Sequence, residues 1–563
     1  MNERIKRLRE ESLNAVPSIS LERARLLTEF YRSGKADRVS IPVARALAFA
    51  YLLTNKELCV NAGELIVGER GPAPKATPTY PDICTHTDKD FEILHTREKV
   101  SFVCSDEVRR EQAESIGPFW SGRSLRDRLF EAVDPAWKAA YEAGIFTEFQ
   151  EQRAPGHTVL DNKIYHKGML DFKNDIADSM ADLDFFNDPE AVSRREQLKA
   201  MSIAADALIA FAGRYADRLT ELAGAESDPD RRSELEAMAA VCRRVPAHKP
   251  ESFQEALQYY WFVHLGVITE LNTWDSFNPG RLDQHLLPFY RRGLADGSLT
   301  DERARELLQS FWVKFNNQPA PPKVGVTAQE SNTYTDFCLI NVGGVTERGE
   351  DAVNEMTYLI LDVIAEMRLL QPSSMVQISK KNPDRLIKRA LGIIRTGYGQ
   401  PSLFNTDAII QELVRQGKSV EDARNGGASG CVETGAFGKE AYILTGYFNM
   451  PKVLELTLHN GVDPRTGRAI GIATGEAESF ASFDDLYAAF ERQLQHFIDI
   501  KIKGNRIIER LWAEYLPAPF LSLLIDDCIA SGKDYNAGGA RYNSSYVQGV
   551  GLGSITDSLS AIK

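Results

Sequence analysis

The sequence predicts an α/β fold, a barrel of short strands surrounded by helices, and three observations carry that expectation. From Phe253 to Asn405 apolar runs alternate with helical periodicity, the order in which strand, loop and helix build a barrel with loops over its interior. At 563 residues the chain exceeds one simple domain but not a large barrel. A glycine-rich run, Asn425 to Gly438, lies between apolar stretches and is therefore expected inside the protein.

Residues 1–60 read as helices. Ile5 and Leu8, then Leu21, Ala24, Leu27 and Phe30, recur at helical spacing, and Pro42 opens another helix through Ala46, Phe49 and Leu52. Asn61 to Gly71 reads as a short strand between turns, followed by an irregular proline-rich loop through Pro81. Helical periodicity returns over 100–150. Residues 175–245 read as a charged, alanine-rich helical pair joined by a turn at Glu226 to Arg232. Gln258 to Leu265 is aromatic and of buried character. A loop bounded by Pro and Gly follows and holds Trp274 and Asp275, with Arg281 and Asp283 expected to tie it by an ion pair. Leu339 to Gly344, Met375 to Ser379 and Pro401 to Asn405 read as strands. Leu486 to Leu511 and Leu521 to Ile529 read as helices, and the last residues lie inside a further one. No internal repeat, low-complexity tract or linker interrupts this order.

Composition narrows the function classes. The apolar share of 43% and charged share of 26% are those of a water-soluble globular protein. A net charge of −13 argues against nucleic acid or an anionic membrane as partner. The seven cysteines are scattered, with no C-x-x-C and no Cys/His ligand spacing, so zinc and iron–sulfur sites are not expected. The start lacks an apolar signal core, and no run reaches membrane-spanning length. The expectation is a cytoplasmic protein with reduced thiols.

The chemistry is expected in the glycine-rich run. Cys431 and Glu433 are two positions apart, so an extended backbone projects both to one side. Gly426, Gly427 and Gly430 permit tight turns and close backbone approach. A Walker phosphate loop is excluded, because the places flanking Gly438-Lys439 that need Gly and Ser/Thr hold Glu433 and Glu440. No G-x-G-x-x-G opens a helix here. The plain alternative is a tight turn around a buried, inert thiol.

Gly430-Cys431-Val432-Glu433, with Gly446-Tyr447-Phe448-Asn449 and Lys452 to Gly461 after it, resembles the cysteine loop of glycyl radical enzymes. Asn61 to Gly71, Gly399 to Ser402 and Gly538 to Gly553 also resemble segments of that family, so the resemblance spans the chain. It points to the dehydratase, decarboxylase and lyase branch, since pyruvate formate-lyase has two adjacent cysteines and here Val432 follows Cys431. The resemblance implies one pyruvate formate-lyase-like domain over 1–563, with 1–60 as its helical amino-terminal part. The implied architecture is a ten-stranded α/β barrel in two antiparallel halves, incomplete at the carboxyl end. Family members continue into a glycine radical domain whose motif this chain lacks. Arg395-Thr-Gly397-Tyr398 echoes that motif but precedes the cysteine, so no radical is assigned to Gly397. The 563 residues alone are therefore expected to be a fragment without activity.

The resemblance also implies roles. Cys431 is a transient thiyl radical, neither nucleophile nor metal ligand, and Glu433 is an acid/base. His157, after a glycine and ordinarily a loop residue, is a candidate to help a hydroxyl leave. Asp275 meets polar or cationic substrate groups, and Ser331, Phe337, Tyr447 and Phe149 shape the pocket. A carboxyl in a dry pocket is raised in pKa, which suits Glu433 to proton transfer. The implied reaction is dehydration of trans-4-hydroxy-L-proline to 1-pyrroline-5-carboxylate. Glycerol or diol dehydration, isethionate cleavage and arylacetate decarboxylation stand as alternatives. No bound cofactor is implied beyond a glycyl radical installed by a radical SAM activating enzyme, and a homodimer is the implied assembly. From other classes, a closed-shell thiol enzyme would need a paired His that no local signature supplies, and a non-catalytic fragment would fit the missing motif.

Overall fold

The amino-terminal periodicity resolves into helices over Glu3–Asn14, Glu22–Arg32 and Ile41–Asn55. They belong to a computed structural model that describes residues 1–147, 158–271, 277–324, 338–430 and 432–563. The alanine-rich pair forms helices Ala191–Ala225 and Pro229–Arg244, and the acidic stretch between them is their turn. At the centre lies the helix Phe253–Glu270, opened by a Ser252/Glu255 capping box and buried on every side from Ala256 onward. A helix apolar all round needs neighbours all round. It has them in the Ala191–Ala225, Pro229–Arg244, Leu282–Asp296, Asp301–Asn316 and Pro519–Leu524 helices.

The strands are short. β1 (Ser18–Ser20) and β2 (Ala76–Pro78) form one parallel pair. β3 (Leu339–Gly343), β4 (Ser373–Ile378) and β5 (Ser402–Asn405) form a parallel sheet in that order, with Asn341 beside Met375 and Gln377 beside Phe404. β6 (Gly427–Ser429) and β7 (Glu433–Gly435) form an antiparallel hairpin. β8 (Glu440–Asn449) and β9 (Tyr542–Val550) run parallel, with a register shift between Leu444 and Tyr447. Single-residue rungs join these pieces into a wall. Asn341 N–H bonds Gly280 O at 3.1 Å, Leu160 N–H bonds Asn278 O at 3.1 Å, and Gly438 N–H bonds Val159 O at 2.7 Å.

Two sequence expectations are corrected. Asn61 to Gly71 pairs with no strand. Its Leu65-Ile66-Val67 run is fully buried, but its backbone is satisfied by side chains of the central helix. Gln258 accepts from Val67 N–H at 2.8 Å and donates to Val67 O at 3.0 Å, Trp261 donates to Gly68 O at 2.9 Å, and Gln254 donates to Leu65 O at 3.1 Å. Leu521 to Ile529 is not one helix either. The helix over Pro519–Leu524 ends, Asp527 adopts φ 74°, and a single turn follows over Cys528–Ser531. Asp526 and Asp527 break it, as short polar side chains that tolerate the left-handed region do.

Candidate active site

The β6–β7 hairpin presents the predicted reactive stretch at its tip. Ser429 faces Glu433 across the ladder, and Gly430 turns the chain at φ 57°. Gly427 is required for a different reason: a Cβ there would lie 2.3 Å from Gln377 Nε2 and 2.5 Å from Asn341 Oδ1. The hairpin rests on an amide cluster that the close approach permits. Asn341 Nδ2 donates to Ala428 O at 3.0 Å, Gln377 Nε2 donates to Gly426 O and to Asn341 Oδ1, both at 3.1 Å, and Asn278 Nδ2 donates to Ser429 Oγ at 3.0 Å. All three amide side chains are buried. Fully paired amides in a low dielectric fix one arrangement, because any shift leaves a buried polar atom unpaired.

These three residues escaped the sequence reading. Their signal was available: Asn341 and Gln377 each interrupt an apolar strand, Leu-Ile-Asn-Val and Met-Val-Gln-Ile, where a buried amide must have partners. Arg281 and Asp283 lie beneath them and are structural, though not as a direct ion pair. They meet through the backbone of one residue: Arg281 donates to Gly343 O at 2.6 Å and Asp283 accepts Gly343 N–H at 2.8 Å. Burial pulls Arg281 down to about 10, still protonated at neutral pH.

Of the predicted site residues, two lie among the described ones. Glu433 opens β7, is buried, and accepts Val432 N–H at 2.9 Å. Tyr447 is half-buried on β8, where its N–H bonds Thr147 Oγ1 at 2.9 Å and its carbonyl accepts Thr147 N–H at 3.1 Å. Cys431, His157, Phe149, Asp275, Ser331 and Phe337 lie outside the described residues. Flanks of three of those segments are fixed in the wall. Thr147 is tied to Tyr447, Val159 and Leu160 to Asn278, and Leu339 begins β3.

Asn425 and Phe437, which bracket the hairpin, also line a cavity of about 720 Å³ with Asp161, Arg281, His285 and Lys439. It is not the chamber expected around the thiol, since neither Glu433 nor Tyr447 lines it. Burial would raise Asp161, but Lys439, at 3.0 Å, and Lys163 outweigh it and hold the carboxyl below its usual range. Burial lowers His285 to about 4, so it is neutral at pH 7. Among the described residues no group of three or more His, Cys, Asp or Glu could hold a metal ion, and no helix is long and apolar enough to cross a membrane.

Gly427→Ala is expected to cost about 1–3 kcal/mol by overpacking the amide cluster. Gly392→Ala, in a helix where the new Cβ meets nothing within 4 Å, is expected to stabilise by up to about 1 kcal/mol. Thermal unfolding of the two variants side by side checks the opposite signs.

The model of the family described as "Pyruvate formate lyase-like" matches residues 1–563. The chain is 56% identical over 561 residues to trans-4-hydroxy-L-proline dehydratase of Clostridioides difficile, covering 100% of this chain and 71% of the relative. It is 32% identical to (2S)-3-sulfopropanediol dehydratase of Klebsiella oxytoca, covering 100% and 68%. The crystal structure of the Clostridioides difficile hydroxyproline dehydratase with trans-4-hydroxy-L-proline bound superposes with a TM-score of 0.97, covering 100% of this chain and 71% of that one.

Proposed function

The chain belongs to the pyruvate formate lyase-like family, and on that premise we propose that it dehydrates trans-4-hydroxy-L-proline to 1-pyrroline-5-carboxylate by radical chemistry at Cys431. The observation that carries this reading is the 56% identity, over the whole chain, to a relative whose structure holds that substrate. The sulfopropanediol dehydratase stands much further away, at 32%.

A glycyl radical on a residue outside this chain, generated by a radical SAM activating enzyme, supplies the unpaired electron. Cys431, as the sulfur radical, takes one hydrogen atom from C5, where the ring nitrogen stabilises the carbon radical. The C4 hydroxyl leaves as water with one proton, which Glu433 or His157 supplies, and the ring nitrogen gives up another. Hydrogen returned from the Cys431 thiol to C4 leaves the C5=N double bond, so the net change is loss of one water. Asp275 holds the ring nitrogen side of the substrate, and Ser331, Phe337, Tyr447 and Phe149 close the pocket around it. Positioning of this kind accounts for several kcal/mol of barrier lowering. The protein works in the cytoplasm as a homodimer.

The test is anaerobic activation followed by incubation with trans-4-hydroxy-L-proline and detection of pyrroline carboxylate. Activated enzyme that leaves hydroxyproline untouched but consumes glycerol, isethionate or an arylacetate would move the assignment to another branch of the family.

A further inference from the structure

We propose that Glu270 and Tyr535 are positioning residues, the two ends of one buried hydrogen-bonded chain that fixes the roots of the Asp275 and His157 segments against each other. The kinetic part of this proposal rests on the site reading given above; the structural part does not.

Glu270 closes the central helix, two residues before the segment 272–276 that carries Asp275. Its carboxylate accepts Phe520 N–H at 2.8 Å and Leu521 N–H at 3.0 Å. The next residue, Ser522, donates its hydroxyl to Asp534 at 2.8 Å and accepts Tyr535 N–H at 2.8 Å. Asp534 also accepts Ala518 N–H at 2.8 Å. The Tyr535 hydroxyl then bonds Thr158 Oγ1, and Thr158 directly follows His157. The circuit closes on the far side, where Leu160 N–H bonds Asn278 O at 3.1 Å, two residues past the Asp275 segment. Thus Leu271 before that segment, Phe277 after it, and Thr158 after the His157 segment all hang on one ring of contacts.

The ring is an expensive way to build a scaffold. Burial pushes Glu270 up to about 7 against the pull of the Phe520 and Leu521 N–H groups. Burial also raises Asp534. Apolar residues of similar volume could join these elements with no desolvation cost, and what they could not do is fix direction. Gly266 and Phe520 sharpen the fit: a Cβ on Gly266 would lie 2.4 Å from the Phe520 ring, so the 519–521 turn seats on the helix in one place.

Tyr535→Phe and Glu270→Gln test the chain, since each keeps shape and removes one link. In the purified protein, amide exchange at Val159, Leu160, Leu271, Phe277 and Asn278 is expected to speed up about tenfold or more. Exchange in the distant Pro229–Arg244 helix and the thermal midpoint should stay close to the parent. In the activated enzyme, kcat/KM for trans-4-hydroxy-L-proline is expected to fall by about 10- to 100-fold, since small misplacements of reacting groups have that effect. The double variant should lose little more than the worse single one, because both act through the same chain. Unchanged exchange at the five amides in both variants overturns the proposal, as does faster exchange throughout the protein with kcat/KM preserved. Parent enzyme that leaves hydroxyproline untouched defeats the functional reading instead, and the exchange result still decides this one.

Discussion

Cys431→Ser is expected to yield no pyrroline carboxylate above background while leaving the protein folded. Serine matches cysteine in shape, and the flanking hairpin is held by backbone pairing and by Asn278, Asn341 and Gln377, so the fold has no reason to respond. The reactivity has every reason to. An S–H bond is close in strength to a C–H bond beside nitrogen, so a thiyl radical can take a hydrogen atom and return it. An O–H bond is much stronger, and no oxygen radical forms at position 431. A nucleophilic mechanism predicts otherwise, since a serine nucleophile could retain measurable turnover. Electron paramagnetic resonance separates failed chemistry from failed activation: the glycyl radical should still form in the serine variant. Glu433→Gln should fall short of complete loss, by about 10²- to 10⁴-fold, as expected for one displaced acid/base group. A serine variant that turns over under activating conditions would sink the radical reading.

What the sequence could and could not reveal follows from the range of the forces involved. The amino-terminal helices and the alanine-rich pair were legible because period and capping are local signals. The strand over 402–405 is largely exposed and was legible only as a short run after Pro401, whereas those over 339–343 and 373–378 were legible because parallel strands buried on both faces read as apolar runs. Asn61 to Gly71 was misread for the same reason. Its Leu65-Ile66-Val67 run looks like a strand, and only Gln258, about 190 positions away, reveals that a side-chain amide takes the place of a neighbouring strand. The parallel pairing of β8 with β9, about 100 residues apart, has no local signature either. At the site, Cys431 lies outside the described residues, and the structure places Glu433 in a buried hairpin strand. The amide bed beneath it was not read, although polar residues inside apolar strands announced it.

Asp82→Ala is expected to be among the most destabilising single changes in the described part of the chain. Asp82 directly follows the proline-rich stretch that reads only as an irregular loop, yet its carboxylate pairs with two buried guanidinium groups. Arg23 meets it at 3.0 Å and Arg45 at 2.8 Å, all three side chains being nearly sealed from solvent. Both arginines also reach the carbonyl of Glu270, so this cluster pins the amino-terminal helices to the end of the central one. Removing the carboxylate leaves two buried positive charges without their counter-ion, a loss of about 3–5 kcal/mol. Replacing the whole cluster with apolar residues of similar volume should recover much of that loss, because the charges are then gone as well. The pH dependence has a definite sign. Burial alone would raise Asp82, but the two arginines outweigh it and hold the carboxyl at about 2. A carboxyl depressed in the folded state stabilises above its unfolded value near 4 and loses that contribution as pH falls toward 2. Denaturant unfolding of the parent should therefore weaken across that window, and Asp82→Ala should show a shallower acid limb. An alanine variant with the parent's midpoint at neutral pH and the parent's acid limb would show that the two arginines do not need this carboxylate.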